Sequence, residues 1–246
     1  MTPEEAARAT ASAIQELGGG FMTDGATYAR GGEAGFSGVD FYVLGRGGVL
    51  GDVDADVVSA AFYFWNPDQV RTQWEAARTV MSPAHGAALF ADVAHLYGEA
   101  HIADHDGLVR LGDLLTRVVD SASPAGAPLL AGWRTHEVPG PDRPKARVQH
   151  QTNALRELRG AYHGGAVLAA GLLPVEAVAF RSAFMAPIYG WDLEGMDEPE
   201  MFKARWKVAE AGTDAAMARP LSSLDGEELD DMVTLLTSVH ETWKAR

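Results

Sequence analysis

A mainly α-helical, internally duplicated protein is the fold class this sequence predicts, and three observations carry that prediction. Helix-start signatures recur: Thr2-Pro3-Glu4-Glu5, Asn66-Pro67-Asp68-Gln69 and Asp225-Gly226-Glu227-Glu228 each place a capping side chain before a first turn that carries an acid. Apolar residues repeat near every 3.6 positions, as in Leu229, Met232, Val233, Leu236 and Val239. Finally, NPDQVRTQWEAAR (66–78) is echoed by EPEMFKARWKVAE (198–210), with Pro67/Pro199, Val70/Phe202, Trp74/Trp206 and Ala77/Ala209 at one constant offset.

The elements follow in order. The first helix runs from the Thr2 cap to Leu17, where glycines stop it. Residues 18–52 are rich in glycine and aromatic side chains, with one short extended candidate at Val39–Leu44. Helices are expected at about 55–65, from Pro67 onward with Val70, Trp74 and Ala77 on one face, and at about 84–100 and 107–121. A proline-rich stretch, 122–144, reads as a linker with Trp133 anchoring it to the core. Further helices are expected at about 144–160, 174–186 and 226–243.

The echo widens beyond its first pair. SAIQELGGGFM (12–22) lines up with NALRELRGAYH (153–163), and Asp106-Gly107 matches Asp225-Gly226 as a helix opening. These matches in the same order divide the chain into a first helical half at 1–121 with the glycine-rich loop, the linker 122–144, and a second helical half at 145–246. Two related halves packed about a pseudo-twofold leave a cleft as the expected ligand site.

Composition narrows the function. There is no cysteine, which excludes disulfides, thiol catalysis and cysteine-ligated metal. No run nears the roughly 20 apolar residues of a membrane span. The N-terminus begins with acids and has no apolar block, so a cytoplasmic protein is expected. A formal charge of −14 opposes polyanion binding, because duplex affinity comes largely from Lys and Arg neutralising phosphates. The one basic stretch, 143–159, holds Arg143, Lys145, Arg147, Arg156 and Arg159 against the single acid Glu157.

Several motifs fail on inspection. Asp52, Asp54 and Asp56 open like a calcium loop, but Val57 and Tyr63 stand where a glycine and a bidentate glutamate are needed. Gly45-Arg46-Gly47-Gly48 lacks both the third glycine of a dinucleotide fingerprint and a Walker lysine. His95, Glu99, His101 and His105 match no standard metal motif, and surface or capping roles suit them better, with Gly98 a potential helix break. No cofactor and no metal is expected.

The richest segment is ALRELRGAYHGG (154–165), which offers the cations Arg156 and Arg159, the carboxylate Glu157, the phenol Tyr162 and the imidazole His163. Its companions are the aromatic residues Phe62, Tyr63, Phe64, Trp65 and Trp74.

GVLGDVDADVVSAAFYFWNPDQVRTQWEAAR and ALRELRGAYHGGAVLAAGLLPVEAVAF resemble the signature and central segment of an actinobacterial family described as SalK-like or helix-turn-helix. The family's histidine falls at His163. The resemblance implies degenerate winged-helix-like halves, although no glycine-tipped wing with basic residues is evident in 197–246.

The function these observations favour is recognition of a small apolar or aromatic molecule in the cleft. Phe62, Phe64, Trp65 and Trp74 would supply the floor, Arg159, Tyr162 and His163 the polar groups, and the glycine-rich segment 30–51 a cover. An enzyme using His163 as general acid/base, with Tyr162 or Arg159 stabilising charge, is the first alternative. A transcription regulator using 143–159 on DNA is the second. The expected partners are a small-molecule ligand and a second copy in a homodimer, with nucleic acid and membrane disfavoured.

Overall fold

The computed structural model describes residues 1–246 as thirteen α-helices joined by turns and short 3-10 segments, with no strand. The helices are α1 (Pro3–Gly19), α2 (Gly25–Glu33), α3 (Val39–Gly47), α4 (Ala55–Phe62), α5 (Pro67–Arg78), α6 (Pro83–His101) and α7 (Leu108–Ser121). They continue with α8 (Pro128–Trp133), α9 (Pro144–Ala169), α10 (Pro174–Arg181), α11 (Ala186–Tyr189), α12 (Lys203–Leu221) and α13 (Gly226–Lys244). No single helix is long and apolar enough to cross a membrane.

The starts follow local chemistry. The Thr2 hydroxyl accepts from Glu5 N while the Glu5 carboxylate accepts from Thr2 N, and Asp225 and Glu228 repeat the exchange at α13. Proline occupies the first turn of α1, α5, α6, α8, α9 and α10, where its missing N–H costs nothing.

The extended segment expected at Val39–Leu44 is instead the body of α3. Asp40 decides it: its carboxylate accepts from the backbone N–H groups of Ser37, Gly38 and Phe41 at 2.8 to 3.1 Å, tying up the donors that open a helix. The linker region 122–144 carries α8, and Trp133 anchors as expected, with its indole N–H donating to His150 O at 3.1 Å.

Helix α9 is the axis of the fold, with α1, α6, α7, α8 and α12 packed around it. Five successive polar residues, Gln149 to Asn153, are each at most 1% exposed. Four of the five have a side-chain partner: the Gln149 amide donates to Gly18 O, Gln151 to the Thr116 hydroxyl and Thr152 to Val148 O, and His150 Nδ1 lies 3.0 Å from His95 Nε2; the Asn153 amide has none. Gly98 does not break α6. A Cβ there would sit 2.8 Å from Lys145 O, so the glycine lets α6 and α9 touch backbone to backbone.

This placement corrects the basic-face reading of 143–159. Arg143 pairs with Glu99, Lys145 with Asp104, Arg147 with Asp113, Arg156 with Glu157 and Arg159 with Glu210. A central helix whose cations are already paired presents no free basic stripe to a phosphate backbone.

Two apolar clusters result. The larger contains 47 buried residues and runs through most of the helices; the smaller contains only Val167, Leu172, Ala177, Ala179, Phe202 and Ala209. A cleft opens along the seam between them.

Candidate functional site

The cleft has a volume of about 630 Å³, within the usual size of small-molecule sites. One wall belongs to the larger cluster, through Phe62, Trp65 and the facing Tyr42; the other belongs to the smaller one, through Ala177, Phe180 and Trp206. Tyr42 stacks on Trp65 with ring planes 13° apart, and Tyr189 packs against the same indole at 4.9 Å. The chain closes this side by direct bonds: Asn66 N donates to Tyr189 O, the Asn66 amide to Gly190 O, and the Trp191 indole to Phe64 O, at 2.8 to 3.0 Å.

The polar floor comes from α3 and α9. Arg46 reaches from α3 and grips Glu157 in a two-point bond, Nε to Oε1 at 2.9 Å and Nη2 to Oε2 at 2.7 Å. Arg156 adds Nη1 to Glu157 Oε1 at 3.0 Å. Burial alone would raise the Glu157 carboxyl, but the two guanidinium groups outweigh it and hold the pKa below the usual range. Arg46 also lies over the Phe62 ring at 4.6 Å.

Further along α9, Arg159 donates to Glu210 Oε2 at 2.8 Å. His163 Nδ1 lies 2.9 Å from the Thr213 hydroxyl, and that hydroxyl's one hydrogen is given to Ala209 O. With its hydrogen on Ala209 O, the Thr213 oxygen accepts from a proton on His163 Nδ1, and Nε2 then faces Glu210 Oε1 at 3.8 Å with its lone pair unbonded. Burial pushes the imidazole pKa down to about 4, against the opposing pull of Glu210, so the ring is neutral at pH 7. The indole of Trp206 meets it edge-on at 4.8 Å.

Tyr63 is the one non-glycine residue at positive φ, at 35°. It is the centre of a tight three-residue turn in which Phe64 N donates to Phe62 O at 2.5 Å. Such turns are rare and strained, and strain of this kind gathers at functional sites. Its ring fits because residue 164 is glycine: a Cβ there would lie 3.0 Å from the Tyr63 ring. The Tyr63 hydroxyl is buried with no protein partner, and burial pushes its pKa up to about 12.

Of the residues expected at the site, Arg159, His163, Phe62, Phe64 and Trp65 do line the cleft. Tyr162 does not; it points to the larger cluster, one helical step from His163. Trp74 is fully buried in the core with its indole N–H on Val53 O, so it is no part of the floor. The expected cover from 30–51 is reduced to Tyr42 and Arg46 of α3. Sequence reasoning missed Arg46, Tyr189 and Glu210 because each reaches the cleft from an element distant in the chain. The sequence carries no signal for them: Glu157 directly follows Arg156 and precedes Arg159 by two residues, so nothing in it calls for a third cation.

The histidine group at 95–105 disperses. His95 is buried, with Nε2 3.0 Å from His150 Nδ1, rather than on the surface; His101 stacks on Tyr97, and His105 Nδ1 accepts from Gly107 N. No group of three or more His, Asp or Glu side chains is placed to hold a metal ion. Asp52 and Asp56 pair with Arg78 and Arg71, as helix-start acids near surface cations would.

No curated protein and no solved structure gives a significant match to this chain. A family model described as the helix-turn-helix family matches residues 7–246, so the chain belongs to the helix-turn-helix family.

Proposed function

We propose that the protein binds a small, largely aromatic molecule in the cleft between its two apolar clusters. The observation that carries this reading is the convergence on one 630 Å³ space of an aromatic wall, a strained tyrosine with an unpartnered hydroxyl, and a neutral histidine with a free lone pair. Core packing alone does not leave a hollow of that size. Aromatic rings at the walls suit a planar ligand, and His163 Nε2 would accept a hydrogen bond from it.

Thermal unfolding of the purified protein against a broad panel of hydrophobic metabolites tests the reading. A ligand present at 100 times its Kd stabilises by about 2.7 kcal/mol and raises the midpoint by several degrees. No shift with any member removes the reading.

The family description favours a second reading, a regulator that contacts DNA. The acidic charge of −14 and the paired cations of 143–159 oppose it, so any DNA contact must use another surface. A gel shift at low salt decides: binding that weakens steeply on adding salt supports it, and no binding removes it. Catalysis in the same cleft would rest on His163, yet a group with pKa near 4 is a weak base at neutral pH. Turnover abolished in His163→Ala while ligand still binds would support an enzyme.

A further inference from the structure

Inside the cleft the charges do not balance. Arg46 and Arg156 share one carboxylate, that of Glu157, and both guanidinium groups are mostly buried, with side-chain exposures of 12% and 15%. Arg159 and Glu210 cancel one another, and His163 is neutral. With Arg181 and Glu16 at the rim counted, the residues that line the cleft bring four arginines against three glutamates, one cation more than anions, in a chain whose overall charge is −14. Removing an unpaired charge from water costs several kcal/mol, and proteins rarely leave such a charge without a partner.

Arg46 has its Nε and Nη2 on Glu157 and its Nη1 on the Tyr42 hydroxyl, so each of its three nitrogens already has a protein partner. Arg156 gives only Nη1 to protein, and its Nε is buried without a partner. Arg159 gives Nη2 to Glu210 and likewise has a buried, unpartnered Nε. These two side chains are on one helix three residues apart, so they are neighbours on its cleft face. Room for the Arg156 group is made by Gly19, where a Cβ would come within 2.7 Å of its Nε. Tyr63, whose hydroxyl is also buried and unpartnered, lines the same cleft.

We infer that the ligand of this cleft is an aromatic monocarboxylic acid, its carboxylate received by Arg156 and its ring held among Tyr42, Trp65, Tyr189 and Trp206. The inference rests on the small-molecule reading given under Proposed function and adds the charge and class of the ligand. One negative charge restores the balance that Glu157 alone leaves incomplete. Guanidinium groups suit the task because their planar fork matches a carboxylate. A second acidic group on the ligand would meet Glu157 and Glu210 instead, so a dicarboxylate is disfavoured.

Isothermal titration of the full chain with matched pairs tests this: 2-naphthoate against 2-naphthamide, indole-3-acetate against indole-3-acetamide, and cinnamate against cinnamamide. For at least one pair the acid is expected to bind tenfold or more tighter than its amide. Arg156→Met, which keeps most of the side-chain volume, is expected to erase that preference, and Arg156→Lys to retain part of it. Circular dichroism shows whether each variant is folded; if Arg156→Met is not, Arg156→Lys and the wild-type pairs still decide. Amides that bind as well as their acids overturn the inference and leave the cleft reading standing. An acid preference that survives intact in a folded Arg156→Met overturns the role of Arg156. If no member of any pair binds, both the inference and the reading beneath it fall.

Discussion

The segments 66–78 and 198–210 share a proline, an aromatic or aliphatic residue three positions on, a tryptophan and an alanine, yet the fold uses them in opposite ways. In α5, Trp74 is 0% exposed, packed with α3 and α4 of the larger cluster, and its indole N–H is satisfied by Val53 O. In α12, Trp206 is only half-buried, faces the cleft and leans on His163 and Phe180. Their neighbours explain the difference: α5 lies among short helices that close around it, whereas α12 packs on α1, α7 and α9 and turns its early residues toward the small cluster. A repeated pattern thus sets helix and face, while the surroundings choose between core and binding wall.

The largest effect on that contrast should come from Trp74→Ala. Removing a fully buried indole costs about 3–5 kcal/mol, which lowers the unfolding midpoint by roughly 10 °C in a chain of this length. A drop of only a degree or two by circular dichroism would mean that Trp74 is not the core residue described. Glu157→Gln comes next. It strands Arg46 and Arg156 in a mostly buried site, and losing one partner of such a pair costs about 3 kcal/mol. If chemical denaturation shows no loss, the charge arrangement is wrong.

Acid should separate the regions more gently. Burial holds His163 at a pKa of about 4, His95 at about 4 and His150 at about 3, all below the unfolded value near 6.5. The unfolded chain therefore takes up protons first as pH falls from about 6.5 toward 4, and folded stability declines through that window. His163→Asn should flatten part of the decline and leave the His95 and His150 share; an unchanged pH profile would contradict the burial of His163.

Trp206→Ala is expected to cost only about 1 kcal/mol of stability, because the indole is partly exposed already. Ligand affinity should nevertheless fall tenfold or more. A variant that unfolds as readily as Trp74→Ala would erase the distinction between the two tryptophans. The smallest effect on stability belongs to Tyr63→Gly. Relief of the strained turn, on the order of 1 kcal/mol, offsets the lost ring contacts, so the midpoint should barely move while binding weakens. A large destabilisation would show that the turn is held by something other than the packing of that ring.

Much of the fold was legible along the chain because it was written in local terms. Caps at Thr2, Asn66 and Asp225, prolines at first turns, and the periodic Val70, Trp74 and Ala77 each act within a few residues. Where the reading failed, a distant or side-chain-specific interaction had prevailed. Val39–Leu44 reads as extended by composition, but the Asp40 carboxylate organises the turn before it into a helix start. The stretch 143–159 reads as a basic face, but five helices pack on α9 and its cations are paired. Likewise, Arg159 and His163 mark the site's own helix by residue type, whereas an aromatic side chain such as Trp74 suits a core as well as a pocket wall, and here it fills the core.

By itself, the sequence determined that the chain is helical, where most helices begin, and that α9 carries the polar chemistry, because capping, periodicity and residue type act over one or two turns. Only the tertiary structure decided that Arg46 would meet Glu157 across 111 positions, that Trp206 would face a hollow while Trp74 filled one, and that Arg156 would be left half-paired. Contacts of that kind depend on how whole helices pack, and no local rule specifies which distant side chain will arrive to balance a buried charge.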